Sequence, residues 1–212
     1  MLCRSIIAKG FEEILSLIKG AQMVEIRIEE SGLSAGEVNK LFGYHPCMLA
    51  TCRPGKIKDT ERKKLLKAAV DGGARWVDVE IESEKAYISE IVLYAKKRGC
   101  KVIISYHNYE YTPQSGLLRQ IAARALEQGA DLIKIATMVN EEDDNDRLLN
   151  LYNFSYPILA IGMGESGRCT RIAALKRGAP FTFVVAPGSH ESAPGQYSEE
   201  EMIRYLITNS EE

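Results

Sequence analysis

The stretch Gly129-Ala-Asp-Leu-Ile-Lys-Ile-Ala-Thr137 joins the end of a predicted helix to a short, mostly apolar strand. Glycine commonly follows the last turn of a helix, because it adopts the left-handed conformation there without a steric penalty. The same glycine-led junction begins at Gly20, Gly73, Gly99 and Gly178. A junction that recurs in this way indicates that helices and strands alternate along the chain.

Three further apolar runs, Leu2–Ile7, Pro46–Arg53 and Pro157–Met163, bring the predicted strands to eight. Helical patterns are predicted between them at residues 11–19, 34–42, 60–71, 83–98, 115–128, 140–152, 168–177 and 198–208. Alternation of this kind requires parallel strands with helical crossovers. Eight such pairs in 212 residues favour an α/β fold, a (β/α)8 TIM barrel, as a single domain over residues 1–212.

The composition is that of a soluble globular protein, with 45% hydrophobic residues, a formal net charge of −2 and a pI near 6.0. We therefore expect no nucleic-acid partner. No apolar run approaches the roughly 18 residues of a membrane span, and Met1–Ala8 is too short for a signal peptide. Five cysteines without a CxxC pair suggest reduced thiols, no zinc site and a cytoplasmic protein.

Lys134 is a single cation within an otherwise apolar strand. Burial of an ammonium group is costly and is usually relieved by a lowered pKa, which makes the neutral amine available as a nucleophile toward a carbonyl. The alternative is a lysine on the solvent-facing side of its strand, and Lys134 alone does not distinguish the two.

Apolar and polar residues alternate along four predicted strands, as in Val24, Ile26 and Ile28. In a closed barrel one parity faces the helices and the other faces the interior. The polar positions predicted to point inward are Glu25, Arg27, Glu29, Asp78, Glu80, Ser105, His107 and Lys134. Several lie toward the carboxyl ends of their strands, where barrel enzymes place catalytic groups. The alternative is a buried ion-pair network that only fixes strand register.

Together these side chains suggest carbonyl chemistry on an anionic, hydroxylated small molecule. Lys134 is a candidate Schiff-base nucleophile and His107 a candidate acid–base group, one strand earlier. Arg27, Arg53 and Arg171 are candidate anion-binding cations.

The other two histidines receive different interpretations. His45 precedes a strand, at the opposite end of the barrel, and we interpret it as structural. His190 lies in the loop at residues 187–196, which could form a lid.

Motifs along the whole chain resemble type I 3-dehydroquinate dehydratase, the Schiff-base enzyme of the shikimate pathway and aromatic amino acid biosynthesis. The motifs are Glu25-Ile-Arg27, Thr51-Cys-Arg53, Ser105-Tyr-His-Asn108, Lys134-Ile-Ala136, Met163-Gly164, Thr170-Arg171 and Ser192-Ala-Pro-Gly-Gln196. Each motif alone is weak, but their order and spacing are specific. The resemblance implies a (β/α)8 barrel, no metal, no cofactor and a homodimer.

The resemblance also implies a reaction, the syn elimination of water from 3-dehydroquinate to give 3-dehydroshikimate. Lys134 would form an imine with the C3 ketone. His107 would take the C2 proton and then protonate the departing C1 hydroxyl, and Arg171 would hold the carboxylate. The remaining matches imply that Glu25, Arg27 and Arg53 bind the ring hydroxyls and shape the pocket. They also imply that Ser192 and Gln196 belong to a loop that closes over the substrate.

One position departs from the family pattern. Many members carry a glutamate four positions after the third-strand arginine, where it hydrogen-bonds the catalytic histidine, but Ile57 stands here. Glu80 ends the neighbouring strand and points inward, so we predict it as a substitute that orients His107.

Two other functions remain open from the sequence. The first is a different Schiff-base barrel, such as a class I aldolase or transaldolase acting on sugar phosphates. It predicts a phosphate-binding loop, for which Gly162-Met-Gly-Glu-Ser-Gly167 is a partial candidate. The second is a non-catalytic barrel, as a regulatory relative or a module of a multifunctional assembly.

Overall fold

Strands and helices alternate along the chain in this computed structural model, which describes residues 1–189 and 191–208. The strands are β1 Leu2–Ile6, β2 Met23–Arg27, β3 Met48–Thr51, β4 Trp76–Glu80, β5 Lys101–Asn108, β6 Leu132–Met138, β7 Ile158–Met163, β8 Thr182–Val185 and β9 Tyr197–Ser198. The α-helices are α1 Phe11–Ile18, α2 Ile28–Ser31, α3 Ala35–Phe42, α4 Asp59–Asp71, α5 Lys85–Lys96, α6 Ser115–Glu127, α7 Glu142–Leu149, α8 Thr170–Lys176 and α9 Glu199–Thr208. Short 3₁₀ turns occupy Asn150–Asn153 and Glu165–Gly167. The predicted alternation is confirmed.

All ladders of the sheet are parallel, in the order β7-β6-β5-β4-β3-β2-β1-β8-β9. The sheet curls, so that Leu159 and Ile161 of β7 and Phe183 of β8 share one buried apolar cluster. Leu49 of β3 and Ile103 of β5 belong to the same cluster, which therefore fills the inside of the curl. The predicted α/β barrel class, as a single-domain fold, is confirmed.

A second and larger apolar cluster lies between the sheet and the helices. It contains Val77 and Val79 of β4 together with Ile88 and Ile91 of α5. Asp78, which lies between the two valines, points to the other face. The alternation predicted along the strands therefore separates the helix-facing core from the interior.

The structure differs from the sequence prediction at several boundaries. β2 ends at Arg27, and Glu29 lies in the one-turn helix α2 rather than on a strand. Gly32 ends this helix in the left-handed conformation, with φ 70°. Strand β9 and helix α2 were not predicted. His190 lies outside the described residues. Within the described residues, no helix has the length and apolar character needed to cross a membrane.

Candidate active site

Three neighbouring strands place polar side chains at one level inside the curled sheet. Glu80 on β4 is in register with Ser105 on β5, and Ser105 is in register with Lys134 on β6. Side chains in register on neighbouring parallel strands point to the same face. His107 lies two residues beyond Ser105, nearer the carboxyl end of β5.

One cavity brings together eight of the side chains predicted for the site. They are Glu25, Arg27, Arg53, His107, Lys134, Arg171, Ser192 and Gln196. The ninth, Glu80, lines a neighbouring cavity that shares Arg53 and His107. Side chains that were not predicted complete the lining, namely Tyr109, Ala136, Ile161, Met163, Phe183 and Ala193.

Lys134 is a buried amine. Its Nζ lies 3.7 Å from Asp78 Oδ2 and 4.4 Å from the centroid of the Phe183 ring. Burial is the largest cause of a lowered pKa at Lys134; Asp78 opposes this effect, and Arg53 adds to it. A lowered pKa increases the fraction of neutral amine near pH 7, which is the form that attacks a carbonyl.

Arg53 is held by oxygen atoms of β4 and β5. Its Nη1 donates to Asp78 Oδ1 at 2.8 Å, Glu80 Oε1 at 2.7 Å and Ser105 Oγ at 3.1 Å. Its Nη2 donates to Asp78 Oδ2 at 3.1 Å. Burial disfavours the charged form of Asp78, but Arg53 and then Lys134 outweigh it and hold the pKa of that carboxyl well below its usual range. Arg53 therefore fixes an ionised Asp78 beside the lysine.

Glu80 lies between two arginines. Its Oε1 accepts from Arg53, and its Oε2 accepts from Arg62 Nη2 at 3.1 Å. Over residues 1–189 and 191–208, no hydrogen bond joins Glu80 to His107, so a role for Glu80 in orienting the imidazole stays a prediction. Ile57, at the position of the usual glutamate, packs against the apolar core.

His107 carries a neutral imidazole at the cavity wall. Its ring stacks on Tyr109, with a centroid distance of 6.2 Å and an interplanar angle of 13°. Removal from bulk water, and then Arg53 and Lys134, lower the pKa of His107 well below its ordinary value. An imidazole that is unprotonated at neutral pH can accept a proton from a bound molecule.

Glu25 and Arg27 form a second polar group on β2. Thr51 Oγ1 donates to Glu25 Oε1 at 2.8 Å, and Ser5 Oγ donates to Glu25 Oε2. Arg27 Nη2 lies 2.6 Å from Glu29 Oε1. Glu29 therefore pairs from α2 with a residue of the cavity, and the prediction that it points inward from a strand was wrong.

Arg171 is a buried guanidinium without a carboxylate partner in the described part of the chain. Arg171 is 2% exposed, and its Nη2 donates to Pro194 O at 3.4 Å. Its Nε makes no hydrogen bond. Burial lowers the pKa of Arg171 to about 10, so the group remains charged at neutral pH. A buried, charged guanidinium that lines a cavity is suited to an anionic ligand.

Ser192, Ala193 and Gln196, which follow β8, line the cavity. Gln196 Oε1 accepts from Ser192 N and Ser192 Oγ, each at 2.9 Å, while its buried Nε2 has no partner among the described residues. Gly164 N donates to Pro194 O at 3.1 Å. Gly195 has φ 74°, and a Cβ there would overlap the Gly164 carbonyl, so this close backbone contact requires glycine.

Asp78 and Tyr109 are the most informative side chains missed as site residues. The inward parity of Asp78 was visible in the sequence, but its partners were not. Tyr109 lies one residue beyond the end of β5, where the two-residue periodicity of a strand no longer predicts which way a side chain points. Among the described residues, no group of three or more His, Cys, Asp and Glu side chains could hold a metal ion.

Comparison with known proteins gives a consistent assignment. The family model for type I 3-dehydroquinase matches residues 3–211. The 3-dehydroquinate dehydratase of Methanococcus maripaludis strain C5 is 40% identical over 208 residues, covering 92% of this chain and 94% of the relative. That of Methanocaldococcus jannaschii is 35% identical over 209 residues, covering 92% and 93%.

A solved structure gives the same family. The type I 3-dehydroquinate dehydratase of Clostridium difficile, with covalently modified comenic acid, superposes with a TM-score of 0.86 at 28% identity, covering 98% of this chain and 90% of the other. The chain therefore belongs to the type I 3-dehydroquinase family.

Proposed function

We propose that this protein is a 3-dehydroquinate dehydratase, a hydro-lyase of the shikimate pathway that forms a Schiff base on Lys134 and eliminates water in the syn sense. The observation that carries the proposal is one cavity that is lined by a buried amine, a neutral imidazole and a buried guanidinium, from Lys134, His107 and Arg171. The guanidinium has no carboxylate partner among the described residues, and its Nε makes no hydrogen bond there. These three groups match a ketone, an acidic carbon and a carboxylate on one molecule.

The first step belongs to Lys134. Its neutral amine adds to the C3 ketone carbon to give a carbinolamine. That hydroxyl takes one proton from solvent and leaves as water, and the nitrogen keeps its own proton as an iminium ion. The positive nitrogen then draws electrons from C2, so that a proton on C2 becomes acidic. Phe183 lies beside this nitrogen, with its ring centroid 4.4 Å from Lys134 Nζ.

The second step belongs to His107. The neutral ring removes the C2 proton, and the C–H electron pair forms an enamine with a neutral nitrogen. The enamine electrons then form the C1–C2 double bond and restore the iminium, while the C1–O bond breaks and the imidazolium protonates the leaving hydroxyl to give water. One base that serves both atoms requires them on the same face, which is syn elimination. Hydrolysis of the conjugated imine releases the product and Lys134.

The remaining lining groups bind and enclose the substrate. Arg171 Nε and Gln196 Nε2 are buried donors without partners in the described part of the chain. Such donors are costly to leave unsatisfied, and a ligand carboxylate or hydroxyl would satisfy them. We assign the carboxylate to Arg171. We assign the binding of the ring hydroxyls and the shape of the pocket to Glu25, Arg27 and Arg53. We assign closure of the loop over the substrate to Ser192 and Gln196.

Borohydride reduction tests this function directly. Only a protonated imine is reduced to a stable amine, so incubation with 3-dehydroquinate and borohydride should add the mass of the reduced adduct to the peptide that contains Lys134. Ultraviolet absorption of the conjugated product should appear in a parallel sample without borohydride. An active enzyme that traps no adduct, or traps it on another lysine, contradicts the proposal.

Arg171→Ala should weaken substrate capture more than turnover. A charge-assisted hydrogen bond contributes about 1.5–3 kcal/mol, so KM should rise about 10- to 150-fold. The matched control is Arg168→Ala, because Arg168 is partly exposed, pairs with Glu201 and does not line the cavity. An unchanged KM with intact turnover in Arg171→Ala removes this residue from the carboxylate role.

The sugar-phosphate alternative finds less support. The glycines of its candidate phosphate loop are used in close packing. A Cβ on Gly162 would lie 2.8 Å from Gly167 Cα, and a Cβ on Gly164 would lie 2.9 Å from the side-chain sulfur of Met138. Cleavage of a phosphorylated aldol substrate would favour that alternative over dehydration.

The homodimer implied by the resemblance and the cytoplasmic location expected from the composition belong to this proposal as well. So does the assignment of residues 1–212 to one domain. No nucleic acid, membrane, metal or cofactor is part of the proposed reaction.

A further inference from the structure

Among the described residues, Asp78 is the carboxylate nearest to the reactive nitrogen. Its side chain is 0% exposed, and Oδ2 lies 3.7 Å from Lys134 Nζ. Arg53 donates hydrogen bonds to both carboxylate oxygens of Asp78, and Ser105 Oγ donates to Oδ1 at 2.6 Å. These contacts leave the carboxylate fixed, ionised and directed at the lysine.

Charged and titratable groups face Lys134 from several strands. They are Asp78 on β4, Glu25 and Arg27 on β2, Cys3 on β1, His107 on β5 and Arg53 after β3. Within the described residues, Asp78 alone comes within ion-pair distance of Nζ. The arginines oppose a positive charge at Nζ, whereas Asp78 and Glu25 favour it.

The reaction proposed above places positive charge on the same nitrogen. The nitrogen is positive in the iminium ion, neutral in the enamine and positive again in the conjugated iminium. An imine that loses its proton is a poor electron sink, so the elimination depends on the protonated fraction. In a buried cavity with two arginines nearby, a protonated imine needs a fixed negative partner.

We propose that Asp78 is the counterion of the imine formed on Lys134 and keeps that imine protonated at neutral pH. This inference rests on the proposed Schiff-base function and deepens it. Asp78 takes no proton and forms no covalent bond in the cycle. It contributes a fixed charge next to the nitrogen on which the positive charge resides.

The test compares Asp78→Asn with Glu80→Gln. Both carboxylates bind Arg53 Nη1, at 2.8 Å and 2.7 Å, but only Asp78 reaches Lys134. Each variant therefore removes one negative charge from Arg53, and Glu80→Gln removes it from Arg62 as well. Two quantities are measured across pH: the rate of borohydride-trappable adduct formation, and steady-state turnover.

Asp78→Asn should change the two profiles in opposite ways. Loss of the carboxylate lowers the pKa of the free amine further, so adduct formation extends to lower pH. It also lowers the pKa of the imine, so turnover falls as the pH rises. An opposite charge within about 4–6 Å moves a pKa by about 1–3, so turnover at pH 8 should fall about 10-fold or more relative to Glu80→Gln.

The outcomes separate this inference from the proposed function. Unshifted profiles in Asp78→Asn, or equal shifts in Glu80→Gln, overturn the counterion assignment while leaving the Schiff base intact. A wild-type protein that traps no adduct on Lys134 removes the imine and both proposals with it.

A second variant decides the matter if Asp78→Asn does not fold, as judged by circular dichroism and thermal unfolding. Ser105→Ala removes the hydroxyl that shares the charge of Asp78, and so leaves more of that charge to act on Lys134. Adduct formation should then shift slightly to higher pH, the reverse of the Asp78→Asn shift. No shift, or a shift to lower pH, overturns the assignment.

Discussion

Lys134→Ala should abolish both the borohydride-trapped adduct and the dehydration of 3-dehydroquinate. The variant lacks the amine that converts the ketone to an iminium ion, and no other lysine lines the cavity formed by the described residues. Removal of a covalent nucleophile typically lowers turnover on the order of 10⁴- to 10⁶-fold. Substrate binding through Arg171 should persist, so the variant should still bind the substrate without converting it.

The matched control is Lys101→Ala. Lys101 is exposed at the opposite end of the barrel, at the start of β5, with Nζ 5.2 Å from the centroid of the Trp76 ring. Turnover and adduct should be retained in this variant. Thermal unfolding of both variants separates loss of chemistry from loss of fold. Residual turnover in Lys134→Ala above about 1% of wild type would contradict the assigned nucleophile.

The direction of the side chains on β4 was predictable because it follows from two-residue periodicity. Val77 and Val79 require an apolar neighbour and face the helices, which leaves Asp78 to face the interior. The glycine-led junctions predicted the order of the elements for a similar local reason. Gly129 follows α6 with φ 96°, a conformation that other residues rarely adopt.

Contacts between side chains were not predictable from the same pattern. Parity placed Glu80 and His107 inside the barrel, but the carboxylate of Glu80 pairs with Arg53 and with Arg62 from α4. Arg62 gave no signal in the sequence, because a charged residue on an amphipathic helix is normally solvated. Its side chain is instead 2% exposed and reaches inward over the Tyr87 ring.

Glu29 illustrates a different limit. Alternation continued through Ile28, so the sequence predicted one strand as far as Glu29. The structure ends β2 at Arg27 and turns the chain into α2. Period-two and helical patterns cannot be distinguished over two or three residues. The ion pair between Arg27 and Glu29 joins the end of β2 to α2.

His107→Ala should separate imine formation from elimination. Lys134 is intact in this variant and can still condense with the ketone, so an adduct should remain trappable. Removal of the C2 proton loses its base, and turnover should fall about 10²- to 10⁴-fold. The imine should therefore accumulate during turnover, which mass spectrometry of the intact protein would detect. If His107 also assists imine formation, the adduct should form more slowly without being lost.

His45→Ala is the matched control for a histidine with a structural role. His45 bridges two loops, since Cys47 N donates to Nδ1 at 3.1 Å and Nε2 lies 3.0 Å from Ala21 O. Its removal should lower the melting temperature without causing the imine to accumulate. Turnover near the wild-type rate in His107→Ala would mean that another group is the base. Glu80 would be tested first, by adding Glu80→Gln to that variant; because Arg53 and Arg62 hold its carboxylate as an ion pair, we expect no such activity from it.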